Sequence, residues 1–166
     1  SWPGLLTILS KTPTGRTLDD GQRTTIGEGS TVLGAAFEKR DRKDLAEGIY
    51  RLGLQFSRES SIAAELFFRL GRIYDAFERF PEAIAVFRRA LALGVAEEKV
   101  LTYLGRAFLK SGKTLAALAL LEHASGTGYL TAEFEADLHD ARRILRRSHR
   151  TWSIPLTPGG LCNEPA

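Results

Sequence analysis

The run Ala107-Phe108-Leu109-Lys110-Ser111-Gly112-Lys113-Thr114 has the letters of a relaxed phosphate-binding loop, with Ala in place of the first Gly. Such a loop works by turning backbone N–H groups onto phosphates between a strand and a helix. Here Phe108, Leu109 and Lys110 continue a helical apolar pattern, Gly112 closes it and Lys113-Thr114 opens the next helix. No strand pattern precedes the run and no second acidic strand follows, so the spacing predicts a helix–turn–helix junction rather than a nucleotide site. His123, His139 and His149 hold no metal-ligand spacing with one another or with Cys162. Glu122-His123 and His139-Asp140 are sequence neighbours and so point to different sides of a helix. No Ser or Cys nucleophile sits in a recognisable turn. The chain reads as a non-enzyme, with no metal or cofactor implied.

The elements that would position any site come from a repeat. Leu70-Gly71-x-x-Tyr74, followed by Ala83, Phe87 and Ala90, recurs 34 positions later as Leu104-Gly105-x-x-Phe108, followed by Ala117, Leu121 and Ala124. A period in this range marks stacked helical units. Within a unit, Leu66, Phe67, Leu70, Ile73, Tyr74 and Phe77 fall at i, i+3, i+4 spacing on one helical face. Pro81 suits the first turn of a second helix, which carries Ala83, Ile84, Phe87 and Ala90 and ends near Leu93-Gly94. Gly71 and Ala83 are small enough to let the two helices approach, with Phe87 and Tyr74 filling the space beside them. A weaker copy lies upstream in Leu33-Gly34-x-x-Phe37, Ala46, Tyr50 and Gly53, with extra residues at the Arg58–Ser61 junction. Gly53 stands where the other copies have Ala, at a propensity cost of about 1 kcal/mol. Downstream, Thr131 precedes a helix whose early acids, Glu133 and Glu135, and late arginines complement its dipole. Phe134, Leu138, Ala141 and Leu145 line one of its faces.

The run Phe67-Phe68-Arg69-Leu70-Gly71-Arg72-Ile73-Tyr74, with Ala83 and Phe87, resembles the tetratricopeptide repeat. Phe67 and Leu101 stand where that family usually has Trp, and Val95 and Tyr129 replace its closing Pro. The resemblance implies an all-α fold: a short right-handed solenoid of about three antiparallel helix pairs plus a C-terminal capping helix. The expected organisation is an extended arm over residues 1–27, the helical domain over 28–148 and an extended tail over 149–166. The resemblance also implies a concave groove lined by the first helix of each pair. Carried over position by position, the groove takes Thr31, Ala35 and Glu38 from the first unit. The second unit gives Glu65, Phe68, Arg72 and Asp75, and the third gives Lys99, Thr102, Arg106, Leu109 and Lys110. The family's carboxylate clamp of Lys and Asn is not expected, because the only asparagine is Asn163. Arg72 and Arg106, at equivalent places in adjacent units, are expected to form a basic strip with Lys110.

Of 23 basic residues, 17 are Arg, and the formal net charge is +3. The arginines concentrate in Arg142, Arg143, Arg146, Arg147 and Arg150, either a dipole-compensated helix end or a contact for phosphate, acidic protein or anionic lipid. RNA binding there ranks low because no aromatics interleave the arginines. The single cysteine excludes an internal disulfide and fits a reducing compartment. No apolar run reaches the ~18 residues of a membrane span, which leaves peripheral association with a membrane complex open. The chain starts at Ser1 without any methionine, and residues 1–31 have no acid before Asp19, a composition also found in organellar targeting segments. Trp2, Leu5, Leu6 and Ile8 at one end, and Trp152, Ile154, Leu156 and Leu161 at the other, are candidate anchors onto a larger assembly or onto the chain's own helices. The expected partners are other proteins. The chain is expected to be a scaffold or accessory subunit of a multi-subunit complex, with a soluble co-chaperone or assembly factor as the alternative.

Overall fold

A computed structural model describes residues 18–57, 61–95 and 97–151; of residues 97 and 149–151 it describes the backbone only. The described residues form seven helices: α1 (Asp20–Glu38), α2 (Lys43–Phe56), α3 (Ser61–Ala76), α4 (Phe80–Ala92), α5 (Glu97–Lys110), α6 (Thr114–Gly126) and α7 (Ala132–Thr151). The candidate anchors Trp2, Leu5, Leu6, Ile8, Trp152, Ile154, Leu156 and Leu161 lie outside them.

The helical array begins earlier than the sequence pattern indicates. Residues 20–27, expected in the arm, belong to α1. Asp19 caps that helix: its carboxylate accepts from the Gln22 N–H at 2.7 Å, while the Gln22 side chain accepts from the Asp19 N–H at 3.2 Å. This reciprocal box satisfies two backbone donors that would otherwise lack partners. The extra turns bury Ile26 completely.

The helices pair as α1 with α2, α3 with α4 and α5 with α6, and α7 closes the end against α6 and α5. First helices also touch directly, α1 with α3, α3 with α5 and α5 with α7, whereas α2, α4 and α6 make no comparable contacts with one another. Elements on the inside of a curved stack crowd together and those outside spread apart. The first helices therefore form the concave layer of an all-α solenoid.

Each pair is locked by one close approach. A Cβ on Gly71 would lie 2.4 Å from Cε1 of Phe87, and one on Gly34 would lie 2.1 Å from Cε1 of Tyr50. Phe87 and Tyr50 are fully buried. Gly53, unfavourable by propensity, also has a packing reason: its Cβ would meet Cβ of Ser30 at 2.6 Å. The turn inside each pair requires a left-handed residue seven positions after the conserved-offset glycine, supplied by Asp41 (φ 56), Glu78 (φ 57) and Gly112 (φ 78). The turns between units use Gly94 (φ 87) and Gly128 (φ 77). The phosphate-loop letters fall across one of these turns, with Lys110 ending α5 and Thr114 starting α6.

α7 repeats the first-helix pattern a fourth time. Phe134, Leu138 and Ala141 stand 34 positions after Val100, Leu104 and Ala107, and all six are buried. The position of Gly71 and Gly105, however, is His139 in α7. A side chain there blocks a second helix from nesting as closely as α4 does on α3. Among the described residues, α7 is the last helix of the array.

Candidate protein-binding groove

On the concave layer two clefts run together. The first, about 410 Å³, is lined by Ser61, Ala64, Glu65, Phe68, Arg69 and Arg72 of α3, by Leu93, Gly94 and Val95 of the turn after α4, and by Lys99 of α5. The second, about 260 Å³, is lined by Phe68, Arg72, Lys99, Thr102, Tyr103, Tyr129, Thr131 and Phe134. Phe68, Arg72 and Lys99 belong to both, so the clefts form one trough across α3 and α5 to the start of α7.

Its floor is aromatic. Phe68 packs edge-on to Tyr103 with ring centroids 5.7 Å apart, and Tyr103 packs edge-on to Phe134 at 4.9 Å. Phe87 closes the cluster from below, 5.7 Å from Tyr103 and 6.1 Å from Phe68. Such offset and T-shaped pairs are favoured by ring quadrupoles and hold the rings in fixed orientation. The rim is basic. Lys99 is exposed and has no ion-pair partner among the described residues. Arg72 is 40% exposed, 3.8 Å from Glu38. Arg69 is held more firmly, donating from Nε to Glu65 at 2.7 Å.

Not every residue expected to line the groove does so. Glu65, Phe68, Arg72, Lys99 and Thr102 line the trough, although the Thr102 hydroxyl is buried and donates to the Lys99 carbonyl at 2.9 Å. Asp75, Arg106, Leu109 and Lys110 lie outside both clefts. Leu109 is buried in the core instead. Arg106 is a structural centre: it meets Asp75 at 3.5 Å, Glu133 at 2.6 Å and Asp137 at 2.7 Å, and its guanidinium lies 4.1 Å from the Phe134 ring centre. Lys110 adds a distant contact to Asp137 at 3.9 Å. The strip expected from Arg72, Arg106 and Lys110 is therefore broken, and the groove's cations are Arg69, Arg72 and Lys99. Thr31, Ala35 and Glu38 line neither cleft; Glu38 accepts from the Tyr50 hydroxyl and faces Arg69 and Arg72.

Burial pushes the Asp75 carboxyl above the usual carboxylate range, and the neighbouring Arg106 guanidinium offsets this only in part. Its Oδ1 is buried without a hydrogen-bond donor among the described residues. Desolvation likewise raises the Tyr50 hydroxyl, reinforced by the hydrogen bond to Glu38, so Tyr50 stays a donor at any physiological pH.

Tyr103, Tyr129, Thr131 and Phe134 were not among the groove residues read from the sequence. Tyr103 stands beside Thr102, the residue the family position indicates, and points into the trough next to it. Tyr129 and Thr131 come from the turn before α7, placed there because α7 packs on α5 as another first helix. On the opposite face of α7, Arg142 pairs with Glu122 of α6 at 3.0 Å and Arg143 with Asp140 at 2.8 Å. Arg146 and Arg147 are exposed on the same helix, and Arg150 lies in its last turn. Among the described residues, no three His, Cys, Asp or Glu side chains are placed to hold a metal ion, and no helix is long and apolar enough to cross a membrane.

Residues 66–101 match the family model of the tetratricopeptide repeat. No curated protein matches the chain in sequence. Among solved structures, the chain is similar to the C-terminal TPR-containing domain of a Plasmodium falciparum FK506-binding protein, with a TM-score of 0.74 at 17% identity, over 80% of this chain and 97% of that one. It is similar as well to the second TPR domain of human RPAP3, solved with the HSP70 peptide SGPTIEEVD, with a TM-score of 0.63 at 18% identity, over 72% and 98% of the two chains. The N-terminal domain of stress-induced protein-1 from C. elegans gives 0.58 at 15% identity, over 72% and 97%. The chain thus carries a tetratricopeptide repeat at residues 66–101, within a stack that has the fold of tetratricopeptide-repeat domains.

Proposed function

We propose that this chain is a non-catalytic protein–protein interaction module, holding an extended segment of a partner protein in the trough across α3, α5 and the start of α7. The observation that carries this reading is the trough's combination of a rigid aromatic floor with a basic rim. Phe68, Tyr103 and Phe134 offer a preorganised apolar surface, and Arg72 with Lys99 stands beside it. An aromatic wall gives contact area at low entropic cost, while rim charges set orientation and partner choice. The favoured segment therefore places an apolar side chain in the smaller cleft and a neighbouring acid on Lys99 and Arg72. In this reading the chain serves as an accessory or assembly subunit of a larger complex.

A second reading, a co-chaperone that holds a client or chaperone tail transiently, has one supporting observation. A human domain of the same fold was solved with SGPTIEEVD, a peptide ending in acids, and the rim here is basic. Panning the full chain against a displayed random peptide library, with SGPTIEEVD as a separate probe, tests both. Under the first reading, selected peptides share an apolar–acidic pattern. The exchange Lys99→Glu with Tyr129→Ala weakens them at least about tenfold without lowering the melting temperature, because both side chains are exposed. Selected peptides indifferent to that exchange would rule the trough out. Binding of SGPTIEEVD that depends on Lys99 would favour the co-chaperone.

A further inference from the structure

We propose that the outward face of α7 is a second docking surface, separate from the trough, for an acidic segment of a protein partner. His139, Asp140, Arg142, Arg143, Arg146 and Arg147 line an open concavity of about 590 Å³ on this helix. In the other units this is the side on which further helices stack. Here His139 occupies the close-approach position, where the equivalent Gly71 has its partner ring 2.4 Å from a Cβ, and no described helix packs on that side of α7. Among the described residues nothing covers this face, and it is basic.

The helix dipole does not account for that charge. Its influence is confined to about the last turn, and the helix runs to Thr151. Arg142 and Arg143 lie more than two turns earlier. Two of the arginines are already neutralised, Arg142 by Glu122 and Arg143 by Asp140. Arg146 and Arg147 have no ion-pair partner among the described residues and are exposed one turn further on. The two satisfied pairs orient the strip, and the two remaining guanidiniums present forked donors that match carboxylates two at a time. The complementary partner is a protein segment rich in Glu and Asp. Nucleic acid fits less well, because no Phe, Tyr or Trp lines the face for bases to stack on.

The test uses the full chain and a fluorescein-labelled poly-glutamate peptide, read by anisotropy at low and raised salt. Poly-uridine RNA and phosphatidylserine vesicles serve as parallel probes. The expected result is salt-sensitive peptide binding that Arg146→Gln with Arg147→Gln weakens at least about tenfold and Lys99→Glu leaves unchanged. Both arginines are exposed, so circular dichroism of the variant should match the parent. Unchanged affinity in the Arg variant overturns the proposal. Equal weakening by Lys99→Glu overturns it too, by placing the peptide in the trough. Tighter arginine-dependent binding of RNA or vesicles than of peptide overturns the choice of partner.

Discussion

Arg106 of α5 reaches Asp75 of α3 at 3.5 Å, and the same two repeat positions meet one unit earlier, where Arg72 reaches Glu38 of α1 at 3.8 Å. In each case the base stands one residue after the close-approach glycine of its unit, and the acid stands four residues after the glycine of the unit before. The result is a ladder of ion pairs with one rung per junction along the concave layer. It ends at the next junction, where Leu109 takes the acid's place and is buried. There Arg106 is gripped from the far side by Asp137 of α7, so a single guanidinium ties three first helices together.

The two rungs should differ sharply in energetic weight. The side chains of Arg106, Asp75 and Asp137 are 14%, 10% and 9% exposed, whereas Arg72 is 40% exposed. Removing one partner from a buried network strands the others' charge, at about 3–5 kcal/mol. An exposed pair contributes about 0–1 kcal/mol. Arg106→Leu should therefore lower the urea midpoint markedly, while Arg72→Leu shifts it little. A joint substitution of Arg72 and Arg106 does not probe binding alone, because it also removes the stabilising network around Arg106. Equal midpoints for the two single variants would refute the assigned difference.

The same rung shows where sequence reading reached and where it stopped. Helix pairs, their glycine contacts and the closing helix follow from a 34-residue spacing, because each buried position recurs at a fixed offset within its own unit. Which side chains face the groove depends on contacts between units. Aligned offsets place Arg106 on the concave layer; only the packing of α7 against α5 brings Asp137 and Phe134 to it, 31 and 28 positions away. The acid-and-base offset of the ladder is visible in the sequence, but only when one unit's acids are compared with the next unit's bases. The start of α1 was missed for a local reason, since the Asp19 and Gln22 capping box lies upstream of the repeat pattern.

Three glycines in helices should respond differently to alanine. At Gly71 the new Cβ lies 2.4 Å from a Phe87 ring that is fully buried and wedged against Phe68 and Tyr103. The ring cannot yield cheaply, so Gly71→Ala should lose about 1–3 kcal/mol despite its better helix propensity. At Gly105 the obstacle is Cγ of the fully buried Leu121, at 2.8 Å, a milder overlap than at Gly71, so Gly105→Ala should lose stability but less than Gly71→Ala. Gly48 has nothing within 4 Å, so Gly48→Ala should stabilise by about 0.5–1 kcal/mol. Melting curves that do not rank the variants in this order would contradict the packing argument.

Glu78 holds a left-handed turn position (φ 57) that Gly fills in the third unit. A left-handed conformation costs an ordinary residue roughly 1–2 kcal/mol, and glycine almost nothing. Glu78→Gly should therefore raise stability, by up to about 1 kcal/mol once the greater freedom of glycine in the unfolded chain is counted. For a chain of this size that is about 2–4 °C in melting temperature. Asp41, in the same turn of the first unit, tolerates the conformation better and should gain less from the same change. A Glu78→Gly variant that melts earlier than the parent would show that the Glu side chain contributes a contact of greater value than the strain it carries.

Asp75 should make stability depend on pH in the direction opposite to most salt-bridged carboxylates. Burial raises its folded value above the ordinary 3.8, with Arg106 pulling the other way by less. A carboxyl whose folded value is raised binds its proton more tightly when folded. Its contribution is therefore complete below the ordinary value and is lost as the pH climbs through the raised one. Asp75→Asn fixes the uncharged shape and removes that dependence. The stability difference between parent and Asp75→Asn, measured by urea titration at a series of pH values, should thus shift against the parent as pH rises above 3.8 and then level off. A shift in the parent's favour would mean that attraction to Arg106 outweighs desolvation. The junction between α3 and α5 would then be held by charge pairing, and its strength would fall rather than rise on acidification.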